Sequence, residues 1–291
     1  MDVTAHVVSQ LIGPPPPVCA YHYTSPRALL GIVNSRAIWA TDSRYLNDTN
    51  EFQYALDAAY VTIVSLYVKL PESDHVALDV FKGTLDDAPK ARVYIASFSA
   101  QPDLLSQWRA YCPVSGGFAV GVVTAPLIAR DDCRFLQCVY DKPEQSRLLN
   151  ELLGFLLNEF RAMPAIEDED ASLLRLGVLG LKFLEGILIL ASIFKHPGFA
   201  EEQEWRILLI DSFSADTSER DEKIHFREGR SGLVPYIEYS IVEKANAGSL
   251  GEVRVGPNPH MELACDAVLS MLRSSGHEAR VVPSHTPFRT W

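Results

Sequence analysis

Basic residues are scarce in this sequence compared with acidic ones. The chain has 26 lysines and arginines against 37 aspartates and glutamates, which leaves a formal net charge of −11. A protein that binds duplex nucleic acid without sequence preference needs a dense basic surface, because contacts to phosphates supply most of the affinity. The composition therefore excludes nonspecific duplex nucleic-acid binding as the main activity, but it permits a local basic pocket for one phosphate-bearing ligand.

Paired cysteines and long apolar runs are missing as well. The five cysteines include no CxxC pair, which argues against a zinc ribbon or a disulfide framework and favours free thiols in a reducing compartment. The most apolar region, residues 173–194, contains charged residues, and its longest uncharged run, residues 186–194, is about half the length that a membrane span requires. The N-terminal residues do not resemble a secretion signal. We therefore expect a soluble cytoplasmic protein with no membrane association.

Motifs for phosphate loops and metal centres are also absent. The sequence contains no GxxxxGK[ST] and no GxGxxG, the patterns with which glycine-rich loops bind nucleotide phosphates. Its histidines form no HxxxH or HExxH pattern. We expect no bound metal ion.

The beginning of the chain is marked by four consecutive prolines at positions 14–17. Proline favours an extended conformation and excludes a helix at this point. We interpret residues 1–17 as a proline-rich leader and expect a single domain over residues 18–291, since a chain of this length accommodates one large domain.

Short strand and helix patterns mix irregularly along the rest of the chain. Aromatic and β-branched runs predict strands at 19–24, 37–41, 92–99, 117–123, 133–140, 204–210, 233–239, 252–255 and 279–282. Ser25 and Pro26 predict the start of a helix, and Asp48 with Glu51 has the spacing of a capping box. Helical periodicity predicts a helical insertion over residues 143–196. Because regular βαβ alternation is missing, we expect an α+β fold.

Four motifs contain the polar, charged and aromatic residue types that catalytic and binding sites use. They are Tyr21-His22-Tyr23-Thr24, Ser97-Phe98-Ser99, Trp108 with Tyr111, and Glu202-Gln203-Glu204-Trp205-Arg206. Each has a structural interpretation when taken alone: a hydrogen-bonded histidine, two serines on one face of a strand, an aromatic pair that packs, and a salt-bridge ladder along a strand. The order of the motifs along the chain is more informative than any one of them.

An early strand histidine, a middle Ser-x-Ser strand and a late Glu-x-Glu strand together resemble the ADP-ribosyltransferase superfamily. The resemblance implies a mixed, split β-sheet around NAD, which is the substrate. Breaking the bond between nicotinamide and ribose creates an oxocarbenium-like centre that a nearby carboxylate stabilises. The chain departs from the superfamily by combining a first-strand histidine, His22, with Ser-x-Ser, a pairing that mixes two of its branches.

The resemblance also implies a role for each candidate residue. Glu204 would bind the ribose 2′-hydroxyl and stabilise the cation, and Glu202 would assist activation of the acceptor. His22 would bind the ribose or the carboxamide. The remaining candidates would bind or support the substrate: Tyr23, Thr24, Ser97, Ser99, Trp108, Tyr111 and Arg206. Among these, the aromatic side chains would stack and Arg206 would either neutralise a phosphate or pair with Glu204.

A second resemblance covers residues 19–255. The series Tyr-His-Tyr-Thr, Leu-Asn-Asp, Ser-Phe-Ser and Glu-Trp-Arg is similar to a bacterial family described only as a domain of unknown function. That resemblance implies a bacterial, cytoplasmic protein, encoded in accessory or defence-type gene sets. It implies no particular reaction.

The sequence therefore leads to one working hypothesis with two alternatives. The hypothesis is a bacterial effector that cleaves NAD and transfers ADP-ribose to a macromolecule or to water, in a defence or toxin system. The first alternative is a non-catalytic nucleotide-sensing or protein-interaction module of a defence system, with a partner protein such as an antitoxin. The second is a hydrolase that acts on another nucleotide or glycosidic bond.

Overall fold

The computed structural model describes residues 2–11, 13–46, 49–112, 116–130, 133–164, 168–210, 223–229, 232–241 and 250–287. The predicted helix cap at Asp48 lies outside these residues. The chain divides into two units. The helical unit contains Met1–Pro14, Ser43–Val93 and Val139–Gly198, and the sheet unit contains Pro15–Asp42, Tyr94–Cys138 and Phe199–Trp291.

The described residues form both helices and strands. The helices are α1 (Val3–Gln10), α2 (Pro26–Ser35), α3 (Thr49–Tyr67), α4 (His75–Leu85), α5 (Leu105–Tyr111), α6 (Ala125–Ile128), α7 (Lys142–Arg161), α8 (Glu169–Ile193) and α9 (Met261–Ser274). The strands are β1 (Cys19–Thr24), β2 (Ala37–Asp42), β3 (Val93–Ser99), β4 (Phe118–Val123), β5 (Arg134–Gln137), β6 (Glu204–Ile210), β7 (Ile224–Glu228), β8 (Leu233–Ser240), β9 (Leu250–Val255) and β10 (Arg280–Pro283).

The helical unit contains α1, α3, α4, α7 and α8. The predicted helical insertion supplies α7 and α8, and two earlier segments of the chain supply the other helices. Residues 1–17, which we interpret as a leader, include α1, and its side chains Val3 and Val7 are buried. The proline segment that follows α1 is not helical, as predicted.

Among the described residues, one helix is long and apolar enough to cross a membrane. This helix is α8, whose most apolar window has a mean hydropathy of 2.0 and is 67% buried. The core helix of a soluble protein has the same character, because it is apolar around most of its circumference. The burial of α8 therefore agrees with a soluble protein.

The sheet unit is built on a mixed β-sheet, which confirms the α+β prediction. Eight strands follow the order β10-β9-β4-β1-β3-β2-β8-β7, while β6 pairs with β3 and β5 pairs with β6. The pair β9–β10 is parallel, whereas β1 is antiparallel to both of its neighbours. Helix α2 begins as predicted, with Ser25 Oγ accepting a hydrogen bond from the Ala28 amide and Pro26 in the first position.

The two edges of β1 are paired very differently. Along β4, all six residues of β1 are in register, from Cys19 opposite Val123 to Thr24 opposite Phe118. Along β3, only Tyr21 has a partner, which is Ser99. The two central strands therefore separate after this single pair, and a break opens in the middle of the sheet.

The two faces of the sheet bury different clusters. One face carries the main core, to which α2 contributes Leu29 and α9 contributes Val268, together with Phe98 and Trp205 from the strands. The other face carries a smaller cluster of four buried side chains: Tyr21, Tyr23, Trp108 and Ala119. Trp108 belongs to helix α5, which shows that α5 lies on this second face.

Among the described residues of the helical unit, two lysine–glutamate pairs differ in burial. Replacing the lysine of each pair tests how strongly burial determines the contribution of an ion pair to stability. Lys195 is 1% exposed and its Nζ lies 3.7 Å from Glu51 Oε1. Replacing Lys195 with methionine removes the cation beside a buried carboxylate, and we expect it to lower the free energy of unfolding by about 3–5 kcal/mol. The measurement is urea denaturation followed by circular dichroism.

The control for this prediction is Lys182→Met. Lys182 Nζ lies 2.9 Å from Glu159 Oε2, but its side chain is 39% exposed. Water screens this pair, so we expect a loss of less than about 1 kcal/mol. Equal losses in the two variants would contradict the distinction drawn from burial.

Candidate functional site

A cleft opens on the sheet unit at the break between β1 and β3. Its volume is about 50 Å³, which is enough for a few water molecules or one small chemical group. The residues that line it are Tyr21, His22, Tyr23, Ser97, Phe98, Gln107, Tyr111, Glu202 and Glu204. The lining combines one imidazole, two carboxylates, an amide and several aromatic rings, which is the chemical variety of a binding or catalytic site.

His22 crosses the break with its side chain. Its Nδ1 lies 2.9 Å from the Ser97 carbonyl oxygen. Because a carbonyl only accepts hydrogen bonds, Nδ1 carries the proton and donates it. Burial lowers the pKa of His22 below its usual 6.5, and the bond to Ser97 opposes this effect only in part. At neutral pH the ring is therefore uncharged, and Nε2 has a lone pair that can accept a hydrogen bond or a proton.

Glu204, the first residue of β6, is held by an arginine two residues further along the same strand. Arg206 Nε donates to Glu204 Oε1 at 2.7 Å, and Arg206 Nη2 donates to Glu204 Oε2 at 3.1 Å. Both residues are buried. The pair is therefore not the solvent-exposed ladder that its spacing suggests. The guanidinium compensates the charge of Glu204 through two hydrogen bonds.

Glu202 reaches the cleft from a different backbone element. It is the last residue of a 3₁₀ turn, Pro197–Glu202, which precedes β6. Ser99 Oγ donates to the Glu202 carbonyl oxygen at 2.7 Å, and the Ala100 amide donates to the Gln203 carbonyl oxygen at 3.0 Å. The end of β3 is thus connected to the backbone of this turn by two hydrogen bonds.

Helix α5 forms another wall of the cleft through Gln107 and Tyr111. Its position is set by Trp108, whose ring lies edge-on to Tyr23 at 4.6 Å between centroids. Trp108 Nε1 donates to Asp103 Oδ1 at 2.7 Å. Burial raises the pKa of Tyr23, so its phenol stays protonated and donates to a backbone carbonyl. The wall is therefore held by a buried aromatic pair and by one carboxylate.

Asp103 also binds the segment that follows β10. Its carboxylate accepts hydrogen bonds from Ser284 Oγ at 2.5 Å, from the His285 amide at 2.8 Å and from Thr286 Oγ1 at 2.9 Å. Burial acts to raise the pKa of Asp103, but these bonds and the bond from Trp108 outweigh it and lower the pKa below its usual 3.8. The C-terminal segment is thus connected to α5 through a single ionised side chain.

The structure brings together part of the predicted site. Six of the candidate residues line the cleft: His22, Tyr23, Ser97, Tyr111, Glu202 and Glu204. Four described candidates lie outside its lining: Thr24, Ser99, Trp108 and Arg206. Of these four, Trp108 is 1% exposed in a packed cluster, so the stacking role expected for it is wrong. Tyr111, at 42% exposed, is the aromatic side chain that remains accessible to a ligand.

Three lining residues were not predicted: Tyr21, Phe98 and Gln107. Tyr21 and Phe98 stand inside the predicted motifs, but strand alternation assigns Phe98 to the core face, opposite the serines. Both faces contribute to the cleft because β1 and β3 separate there. Gln107 directly precedes Trp108. Its polar side chain on a short helix between two strands is the sequence feature that could have identified it as a lining residue.

Among the described residues, no three histidine, cysteine, aspartate or glutamate side chains are placed to hold a metal ion together. All five cysteines are free thiols. Burial raises the pKa of Cys19 to about 11 and that of Cys112 to about 12. These two thiols are therefore protonated at neutral pH and are poor nucleophiles.

Comparison with known proteins gives one match. A family model described as "Protein of unknown function (DUF2971)" matches residues 107–207, which is 101 of the 291 residues. The match supports the resemblance to a domain-of-unknown-function family, and the matched segment includes Gln107, Tyr111, Glu202 and Glu204. No curated protein and no solved structure matches the chain. The resemblance to ADP-ribosyltransferases gains no support from these comparisons.

The pKa of His22 predicts how stability changes with pH. Well above pH 6.5 the imidazole is neutral in both the folded and the unfolded chain, so its contribution to pH dependence is small. Below 6.5 the unfolded chain takes up a proton before the folded chain does, and stability falls as the pH falls. Between pH 7.5 and 5.5 we expect wild type to lose up to about 1.4 kcal/mol more than His22→Gln, measured by urea denaturation. Equal losses would contradict burial of a neutral imidazole.

The Asp103 carboxylate gives a second prediction for this unit. Asp103→Ala removes the acceptor of four hydrogen bonds, one of them from the buried Trp108, and we expect the free energy of unfolding to fall by about 2–3 kcal/mol. The control is Asp87→Ala, since the Asp87 side chain is 62% exposed and pairs with an exposed lysine. The control is expected to change stability by less than about 0.5 kcal/mol. A comparably small effect at Asp103 would show that the C-terminal segment does not depend on it.

Proposed function

We propose that the cleft is an active site that cleaves NAD, or a related nucleotide, at the bond between the base and the ribose. The ADP-ribose moiety is then transferred to a macromolecular acceptor or to water. In this proposal the break between β1 and β3 is the split of an ADP-ribosyltransferase-like sheet. The protein acts in the cytoplasm of a bacterium, as an effector of a defence or toxin system in which an antitoxin is a fitting protein partner.

One observation carries the proposal. His22 on β1 and Glu204 on β6 are 182 positions apart in the sequence, yet both line the same small cleft, and Glu202 joins them there. A neutral imidazole next to carboxylates supplies a base and a site for developing positive charge, which are the two needs of glycosidic cleavage. The order of the three motifs along the chain supports the same chemistry.

The geometry changes the roles that the resemblance implies for the two carboxylates. Because Arg206 compensates the charge of Glu204, that carboxylate is suited to accept a hydrogen bond from a ribose hydroxyl. Glu202 approaches from the 3₁₀ turn, and we assign it the electrostatic stabilisation of the ribose cation. Tyr111 and Gln107 on α5 are placed to contact the departing base through ring stacking and amide hydrogen bonds.

The residues of the cleft account for every bond and proton of the proposed reaction. The bond between C1′ of the ribose and the pyridinium nitrogen breaks, and its electron pair leaves with nicotinamide, which becomes neutral. The ribose cation is captured by an oxygen of water or of the acceptor. His22 Nε2 accepts the proton that this oxygen loses, as a general base with a lowered pKa does.

A second candidate function is a nucleotide sensor that binds without turnover. The compensated charge of Glu204 and the cleft volume of about 50 Å³ favour it. A cleft of this size takes one planar or polar group of a nucleotide, and the remainder of the ligand lies outside. A sensor needs only the recognition part of the site, which the buried Glu204–Arg206 pair keeps rigid.

Incubation of the purified protein with NAD tests the proposal. We expect the wild-type protein to release nicotinamide, measured by chromatography. Glu202→Gln is expected to lower kcat by about 10²–10³, because an electrostatic stabiliser of the transition state is lost. His22→Gln is expected to lower it by about 10²–10⁴, the usual contribution of a general base.

The matched control is Glu201→Gln, since Glu201 is the exposed neighbour of Glu202 and lies outside the described lining of the cleft. This variant is expected to retain wild-type turnover. Equal rates for Glu202→Gln and Glu201→Gln would contradict the role of Glu202. Binding of NAD in calorimetry without nicotinamide release would support the sensor, and the absence of both signals would contradict the two candidates together.

A further inference from the structure

The residue between the two carboxylates of the cleft has an unusual backbone. Gln203 has a φ of 45°, in the left-handed region that residues other than glycine seldom enter. It ends the 3₁₀ turn, and its amide donates to the Ala200 carbonyl oxygen at 3.3 Å. Glycine is the usual residue where a helical turn ends in this way. The use of glutamine therefore points to a role for its side chain.

The Gln203 side chain makes a contact that glycine lacks. Its Oε1 accepts a hydrogen bond from Gln101 Nε2 at 2.9 Å. The backbone on either side is tied to the same region, since Ser99 Oγ donates to the Glu202 carbonyl oxygen and Ala100 donates to the Gln203 carbonyl oxygen. The 3₁₀ turn Pro197–Glu202 together with Gln203, called the acidic turn below, is thus attached to the end of β3 through its backbone and through the Gln203 side chain.

Gln101 in turn connects this turn to β1. Tyr23 Oη donates to the Gln101 carbonyl oxygen at 2.8 Å and accepts from the Leu104 amide at 2.9 Å. The Gln101 amide also donates to Ser99 Oγ at 3.0 Å. The contact between the two glutamines therefore couples the acidic turn to the segment that holds Tyr23, which lines the cleft opposite the turn.

We propose that Gln203 is a positioning residue that directs the Glu202 side chain into the cleft. It does so through its left-handed backbone, which separates the turn from β6, and through its hydrogen bond to Gln101, which fixes the turn against β3. The catalytic consequence rests on the proposed function of the cleft. The geometric role does not depend on it, because it concerns only where the Glu202 carboxylate lies.

A matched pair of variants tests the side-chain contact. Gln203→Glu keeps an oxygen acceptor at the same distance from the backbone, whereas Gln203→Met keeps the length and loses the acceptor. Crystal structures of both variants and of wild type are compared for the distance between the Glu202 carboxylate and the His22 ring. We expect Gln203→Met to move the carboxylate by about 1 Å or more or to leave it without a fixed position. We expect Gln203→Glu to retain the wild-type arrangement.

Gln101→Ala provides an independent check, because it removes the same hydrogen bond and leaves the left-handed residue unchanged. It is expected to displace Glu202 as Gln203→Met does. Gln203 is exposed, so all three variants are expected to fold, which thermal melting verifies. An unchanged Glu202 position in Gln203→Met and Gln101→Ala would overturn the proposal.

Turnover adds a second readout. We expect Gln203→Met to lower kcat for nicotinamide release about three- to tenfold, the effect of losing one hydrogen bond, with KM nearly unchanged and with Gln203→Glu restoring the rate. Equal loss of kcat in Gln203→Glu and Gln203→Met would overturn the role of the acceptor oxygen. Absence of turnover in wild type would overturn the proposed function alone, since the crystallographic comparison still decides the role of Gln203.

Discussion

The hydrogen bond from His22 Nδ1 to the Ser97 carbonyl oxygen makes the cleft possible. In an uninterrupted antiparallel pair, a backbone amide of β1 would satisfy this carbonyl oxygen. After the single pair of Tyr21 with Ser99, the strands separate and that amide no longer faces the oxygen. A partly buried carbonyl without a partner costs free energy, and the imidazole lowers that cost by donating from Nδ1. The same bond fixes the tautomer of the ring, so that Nε2 is the nitrogen with the free lone pair.

Two carboxylates line the cleft in different surroundings. Glu204 is buried together with Arg206, and the two-point contact of the guanidinium gives it a fixed direction. Glu202 ends a 3₁₀ turn and is half-buried. The lining of the cleft thus contains two carboxylates, one of which is paired with a buried arginine.

The sequence predicts the local elements of the sheet unit well. Alternation places β1, β3 and β6 within one residue of their observed bounds, and the cap at Ser25 is correct, because these signals depend on neighbouring residues only. Helices α1 and α4 and strand β7 were not predicted. Strand β7 has a mostly exposed pattern and lacks the periodic apolar face that makes an element recognisable, whereas α1 is short and precedes a run of prolines.

The site is less predictable than the strands. The motifs identify His22, Glu202 and Glu204, but the break between β1 and β3 is a property of pairing that no single strand sequence expresses. Strand alternation correctly predicts that Phe98 belongs to the core, but it does not predict that Phe98 also borders the cleft. An aromatic residue such as Trp108 is a candidate for stacking on a ligand when it is judged from the sequence alone. In the structure its Nε1 donates a hydrogen bond to Asp103 and its ring packs edge-on against Tyr23. The contact with Tyr23 forms only when the sheet folds.

The division into two units affects how the polypeptide can fold. Each unit is assembled from three separate stretches, so six stretches alternate and the polypeptide passes from one unit to the other five times. No single cut releases either unit intact, and the matched span 107–207 takes pieces from both. Many loops must close before either core is complete, which slows folding and makes it highly cooperative. A ribosome would thus have to deliver more than two thirds of the polypeptide before the strand bearing the late glutamate could reach the imidazole synthesised near the start.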